Sequence, residues 1–410
     1  MTAQDASAGD LTQLTSLLGR VMSIEDVTAG TPREPYVLRA RGRLLLDSTE
    51  AYDRLAESLR PLNLTPLFRM EGDKHVVILS RGVFAARPSN VWINVALFGL
   101  TLLSVLFVGA SMANTGPVPA GPTLVGSIVA YLQYMFSHLG SGLPFAVSLL
   151  AILGVHEFGH YLAGRYHRTA VTLPYFIPMP FSYFGTLGAF ISMKEPPRNR
   201  RVLLDIAIAG PLAGLIVAIP VLLYGLSTSS LSTLPLRTSS ATSYLLEGNS
   251  LLYLIAKWLV FGRLLPAPTH YTLAPLLYWL RYLVLGLPIP AGGLDVFLGP
   301  VAWAGWAGLL VTGLNLIPAS QLDGGHLLYV LIGKKTNRVL PVILVGLVAL
   351  GFVWSGWFLW ALLILVFGQS HAEPLDQITP LDDRRKLLAI VGLLVFLLVF
   401  TPIPLVVVGG

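Results

Sequence analysis

LPFAVSLLAILGVHEFGHYLAGRY, residues 143–166, is the stretch on which the reading of this chain turns. It is apolar but for Ser148 up to Val155, and then three ionisable residues, His156, Glu157 and His160, fall within five positions. A helix rises 1.5 Å per residue, so histidines four apart stand about 6 Å apart along the axis on one face. Both imidazoles can then reach one Zn²⁺ at about 2.0–2.1 Å. Glu157, beside the first histidine, is placed to take a proton from a water at that metal. The competing reading is three buried polar residues satisfied by hydrogen bonds. A charged side chain at the centre of a bilayer costs about 2.5 kcal/mol or more, so three ionisable groups so close together argue for use.

The surroundings are those of a membrane protein. Of 410 residues, 54% are hydrophobic and only 12% charged, against about 25% charged in a soluble domain. No Asp, Glu, Lys or Arg occurs from Pro88 to Val155, and similar gaps cover Val296 to Leu322, Val339 to Ala372 and Leu387 to Gly410. Each gap exceeds the roughly 20 residues that a spanning helix needs. The 29 Pro and 40 Gly fall partly inside apolar stretches, which predicts broken helices around an internal site. With no Cys, any metal must be held by His, Asp or Glu. The net charge of +6 is carried by basic residues that flank apolar runs, as in juxtamembrane loops, and nothing suggests nucleic-acid binding. Arg198 to Arg201 reads as a cytoplasmic loop under the positive-inside rule. The first 30 residues lack a signal peptide's basic start and apolar run, so the N-terminus is expected to stay where it is made.

Residues 1–88 alone have ordinary soluble composition and predict a small α/β domain, cytosolic by the same reasoning. Leu11 to Met22 has helical periodicity, and Tyr36 to Leu46 alternates like a strand. Asp47 and Glu50 form a capping box for a helix with Tyr52, Leu55, Leu59 and Leu62 inward, and 66–70 with 75–79 read as a hairpin. Residues 89–410 are the membrane-embedded part, expected to hold six to eight spans with broken helices and an embedded strand segment. Spans are predicted at Val91–Met112, Leu143–Tyr166, Val202–Leu226, Val296–Leu316, near Val339–Phe367 and Leu387–Val408. Leu124–Phe136 is too short to span with certainty and reads as re-entrant. Thr186 to Met193 follows several Pro and Gly and reads as a strand or hairpin. Trp and Tyr at 253, 258, 278, 279 and 282 suggest an interfacial belt, and His138, His326 and His371 suggest no specific role.

A catalytic zinc site takes three protein ligands and one open position. Past Glu157 the acids are Glu195, Asp205, Glu247, Asp295, Asp323 and the cluster from Glu373 to Asp383. Asp323 stands out: it has apolar surroundings, two following glycines and a position at the end of a span that finishes on the same side as 143–166. It could equally cap the helix that starts there, and both could hold. Asn315 could hydrogen-bond the loop at Pro318.

HEFGH at 156–160, GTLGAF at 185–190, AGPLAG at 209–214 and NLIPASQLDGG at 315–325 together resemble the site-2 protease family of intramembrane zinc metalloproteases. The stretches GNSLLY at 248–253 and WAGWAG at 303–308 resemble its plastid and cyanobacterial branch, without the PDZ insert of many members. The resemblance implies one zinc per chain held by His156, His160 and Asp323, with Glu157 as general base and Asn315 near the reacting carbonyl. It also implies a substrate-binding strand edge at Gly185, Thr186 and Gly188. Strand addition fits the chemistry independently, because a helix must be unwound before its backbone can be cut, and an edge re-satisfies the freed groups. The expected activity is cleavage of transmembrane protein substrates in the lipid bilayer near its cytosolic face. The expected location is the bacterial cytoplasmic membrane, with a plastid or thylakoid membrane as alternative. A transporter using the same residues for a carried ion would need ionisable groups strung along a path, whereas these converge. The oligomeric state is not legible.

Overall fold

The computed structural model describes residues 8–31, 34, 36–84, 89–114, 116–117, 119, 121–236, 244–319, 321–367 and 373–408. Helix α1 (Ala8–Gly19) leads into strand β1 (Met22–Ala29), followed by β2 (Tyr36–Leu44), α2 (Ser48–Leu59), β3 (Leu64–Glu71) and β4 (Lys74–Arg81). The four strands form an antiparallel sheet in the order β1-β2-β4-β3. The helical periodicity read from Leu11 to Met22 ends early, at Gly19, and Met22 already opens β1, a strand that charged residues at its exposed edge obscure. Asp47 caps α2 by accepting from the Thr49 amide at 2.9 Å. Glu50 does not complete the box but pairs with Arg54, and Leu62 is exposed, not inward. Tyr52, Leu55 and Leu59 pack with Leu18, Leu38 and Phe68 in a core that Leu375 and Ile378 join from the far end of the chain.

The apolar part comprises α3 (Val91–Ala113), α4 (Leu124–Ser137), α5 (Leu143–Tyr166), β5 (Tyr175–Pro178), β6 (Thr186–Phe190), α6 (Arg200–Ser227), β7 (Ser230–Thr233), β8 (Tyr244–Glu247), α7 (Leu251–Phe261) and α8 (Pro275–Leu285). It continues through β9 (Leu294–Phe297), α9 (Pro300–Asn315), α10 (Asp323–Ile332), α11 (Thr336–Gly351), α12 (Gly356–Phe367), α13 (Asp383–Val399) and β10 (Leu405–Val408). Among the described residues three helices are long and apolar enough to cross a membrane: 91–113, 139–166 and 200–227. The other expected spans resolve into shorter apolar pieces. Val296–Leu316 is a strand plus a 16-residue helix, of which 11 residues are buried and none is exposed. Val339–Phe367 divides into α11 and α12, which pack on each other with Gly351 against Phe358. Tyr253, Tyr278, Trp279 and Tyr282 are buried, so of the expected aromatic belt Trp258 alone is exposed.

The centre of the bundle is α5, α6 and α9. Close approach is built from small residues: a Cβ on Gly305 would lie 2.6 Å from the Leu222 Cα of α6, and one on Gly308 2.9 Å from Ile152 of α5. The intervening Trp303 and Trp306 stack on each other at 4.9 Å, and Trp303 stacks on Phe184 in the loop before β6. The WAGWAG run thus alternates a face for two helices with a face for that loop. β5 and β6 pair antiparallel as a two-stranded ribbon, with β6 where a strand was read from 186 onward.

Candidate metal centre

His156 and His160 lie on one face of α5, 3% and 6% exposed, with imidazoles turned toward α6. Room for them is made by glycines: a Cβ on Gly210 would sit 2.1 Å from His160 Nε2, and one on Gly214 3.1 Å from His156 Nδ1. These are the glycines of the AGPLAG motif, four apart as the histidines are. His160 Nδ1 donates to the Ile206 carbonyl at 2.7 Å. A carbonyl only accepts, so this bond fixes the tautomer and leaves the Nε2 lone pair free for a metal.

Asp323 arrives from the other side, at the first turn of α10. A Cβ on Gly324 would lie 1.9 Å from the Leu316 carbonyl, so the start of α10 can press against the end of α9 only with glycine there. The N-cap of α10 is Leu322, so the Asp323 carboxylate belongs to the first turn and not to the cap position. It points at the histidines: Asp323 Oδ2 is 3.3 Å from His160 Nε2 and 3.6 Å from His156 Nε2, and the two Nε2 atoms are 3.2 Å apart. Ligands bonded at 2.0–2.1 Å to a tetrahedral ion stand about 3.3–3.4 Å apart, so the donor set fits a zinc-sized ion. Among the described residues no other triple of His, Asp or Glu gathers its ligand atoms in this way. Asn315 Nδ2 lies 3.3 Å from His156 Nε2, beside the same point.

The three ligand candidates, Glu157 and Asn315 line one cavity of about 540 Å³ whose opposite wall is the backbone run 189–193, with Ile191 hydrogen-bonded to the Glu157 carboxylate. The expected strand residues are placed differently. Gly185 and Gly188 have φ of +73° and +105°, conformations that suit glycine. Gly185 is held against α3 through Ser104 Oγ, which donates to its carbonyl at 2.6 Å. The Thr186 hydroxyl donates to the Ile177 carbonyl at 2.8 Å. Gly185, Thr186 and Gly188 therefore shape the ribbon, and the end of β6 with the residues after it, 189–193, lines the metal-centre cavity.

Sequence reasoning missed several residues. His326, buried and one turn after Asp323, lines the cavity with Gln321; its i+3 spacing from Asp323 was the available signal. Asp205 accepts from Arg385 Nε at 2.9 Å and Nη2 at 2.6 Å, and faces His167 Nε2 at 2.9 Å. That knot ties the end of α5 and the start of α13 to the residue next to Ile206. Its members are up to 218 positions apart, so no local pattern marks it.

The profile of Peptidase family M50 matches residues 144–354. The chain is 29% identical over 409 residues to "Probable zinc metalloprotease EGY2, chloroplastic" of Arabidopsis thaliana, covering 96% of this chain and 65% of that protein. It is 28% identical to the EGY2 relative of Oryza sativa subsp. indica, covering 91% of this chain and 63% of the relative. With "Probable zinc metalloprotease EGY1, chloroplastic" of Arabidopsis thaliana it shares 29% identity over 80% of this chain and 56% of the relative. The chain thus spans just under two thirds of the EGY2 relatives it matches. No solved structure matches it.

Proposed function

The chain belongs to peptidase family M50, and on that premise we propose that it is an intramembrane zinc endopeptidase of the site-2 protease type, cutting peptide bonds within transmembrane segments of other membrane proteins. The observation that carries this reading is the set of ligand-atom separations, 3.2, 3.3 and 3.6 Å, beside a glutamate in a cavity walled by a strand continuation. His156, His160 and Asp323 are the proposed ligands of one zinc per chain. Zinc in such a site polarises a carbonyl and brings the pKa of a water it holds to about 7. Glu157 takes the proton of the attacking water and delivers it to the leaving amine, which restores its carboxylate. Asn315 offers an amide N–H to the carbonyl oxygen as charge grows there, a contribution worth about 3 kcal/mol where such donors have been removed. The substrate backbone is unwound and laid beside 189–193, with Gly185, Thr186 and Gly188 holding that ribbon in shape.

The partners follow from this chemistry: transmembrane protein substrates and the lipid bilayer. Residues 1–88 are proposed as a soluble domain on the same side of the membrane as the metal centre. The relatives' names support a plastid or thylakoid membrane and give no support to a bacterial cytoplasmic membrane. The test is Glu157→Gln in the purified full chain. We expect zinc content near one per chain to persist while cleavage of a membrane-embedded reporter is lost; unchanged cleavage would refute the scheme.

A further inference from the structure

About 30 Å along α6 from Ile206 lies Ser227, and just beyond it β7 pairs with β9, so this second region occupies the face opposite the metal centre. Three ionisable side chains are buried there together: Glu247 at the end of β8 (8% exposed), Asp295 in β9 (3%) and Lys257 in α7 (0%). Lys257 Nζ is 3.9 Å from Glu247 Oε1, too far to hydrogen-bond, and 4.3 Å from the centre of the Tyr253 ring; it has no hydrogen-bond partner among the described residues. Tyr253 donates its hydroxyl to Glu247 Oε1 at 2.8 Å. Asn249, 5% exposed, bonds through neither its amide oxygen nor its amide nitrogen. Both Glu247 and Asn249 line a cavity of about 20 Å³, the space of one water molecule.

Two carboxylates and one ammonium leave a surplus negative charge in a place shut off from solvent, and a buried charge without a counterion neutralises by taking a proton. Among the described residues the other titratable groups turned toward the acids are hydroxyls, Tyr244 from β8, Tyr253 from α7 and Tyr282 from α8, none of which supplies a cation. We propose that Glu247, Asp295 and Lys257 form a proton-binding site, in which the two carboxyls hold one proton between them and a water in the adjoining cavity bonds Glu247 and Asn249. Burial raises both carboxyls above the ordinary carboxylate range, with Lys257 opposing. The site is also joined to the catalytic bundle. The Gly248 carbonyl, between Glu247 and Asn249, accepts from Trp306 Nε1 at 2.9 Å, and β9 runs into α9, whose other end is Asn315. Proton occupancy on this face is therefore set at the root of the helix that reaches the metal centre.

The test needs neither zinc nor cleavage, so its failure leaves the catalytic reading untouched. Infrared spectra of the purified chain in lipid at neutral pH, taken as variant-minus-wild-type differences so that other carboxyls cancel, count protonated carboxyls. Glu247→Gln and Asp295→Asn should each remove one, because the remaining carboxylate pairs with Lys257, and Lys257→Met should add one. If one acid variant fails to fold, the other decides, since both must show the same loss. The sign in stability follows from raised carboxyl pKa values: the contribution is present at acid pH and is lost as pH rises from the unfolded range near 4 through the raised value. That fall should flatten in either acid variant. A carboxyl band unchanged by both acid substitutions, or one that follows sodium at fixed pH, overturns the proposal.

Discussion

Asp205 acts on the metal centre without touching it. Its neighbour Ile206 supplies the carbonyl that orients His160, and its carboxylate is gripped by Arg385 and faces His167, the residue that ends α5. Partners behind a ligand contribute by holding its tautomer and angle, typically about 10- to 100-fold in metal affinity. Asp205→Asn keeps the shape and removes the charge, so zinc affinity measured by chelator competition should fall about tenfold. Binding as tight as in the wild type would make Asp205 a packing residue only. The contrast with His156 and His160 shows what a sequence can reveal at this scale. Their spacing is local and helical, hence readable, whereas His167, Asp205 and Arg385 meet only because three helices converge.

Among the elements, the α5–α6 contact does most to shape the site. Four small residues make it: Gly159 against the Ala209 carbonyl, Ala213, and Gly210 and Gly214 under the two imidazoles. Gly210→Ala would put a methyl 2.1 Å from His160 Nε2, the atom aimed at the metal, in a close-packed interior where neighbours cannot yield. The expected result is loss of bound zinc with helix content preserved, read by metal analysis and circular dichroism. Gly154→Ala, on the same α5 but with nothing within 4 Å of the new methyl, should keep its zinc. Equal zinc in the two variants would contradict the packing argument. Hydropathy is blind at this scale for a related reason. It cannot distinguish a segment facing lipid from one enclosed by protein, so it did not reveal that the helix within Val296–Leu316 sits at the centre of the bundle with none of its residues exposed. The strand from 186 was legible because Pro and Gly forbid a helix there, but which of its residues face the metal depends on how the ribbon leans on α3.

At the scale of the whole molecule, the N-terminal module is joined to the segment before α13 on the metal face. Residues 375–377 lie between β3 and 197–199: the Phe68 amide donates to Leu375 O at 2.9 Å, Gln377 N to Phe68 O at 3.1 Å, and Asp376 N to Arg198 O at 2.7 Å. Arg69 binds the Pro374 and Leu375 carbonyls, and Arg198 pairs with Asp53 at 2.6 Å. The basic run read as a cytoplasmic loop thus contacts the N-terminal module through Arg198, and Leu375 and Ile378 pack against that module's core. Asp376, fully buried, holds the seam's turn by accepting from the Ile378 and Thr379 amides at 2.8 and 3.1 Å and from the Thr379 hydroxyl. Asp376→Ala strands these donors, each about 1–3 kcal/mol if left unpaired. Hydrogen exchange should then accelerate at Phe68 and Gln377, while the β1–β2 amides, remote from the seam, keep their protection. Since the seam also grips the residues leading into α6, which carries Ile206 and Gly210, zinc affinity should weaken along with it. Fast exchange at Phe68 with unchanged zinc affinity would mean that the module is fastened to the metal domain without helping to hold its site.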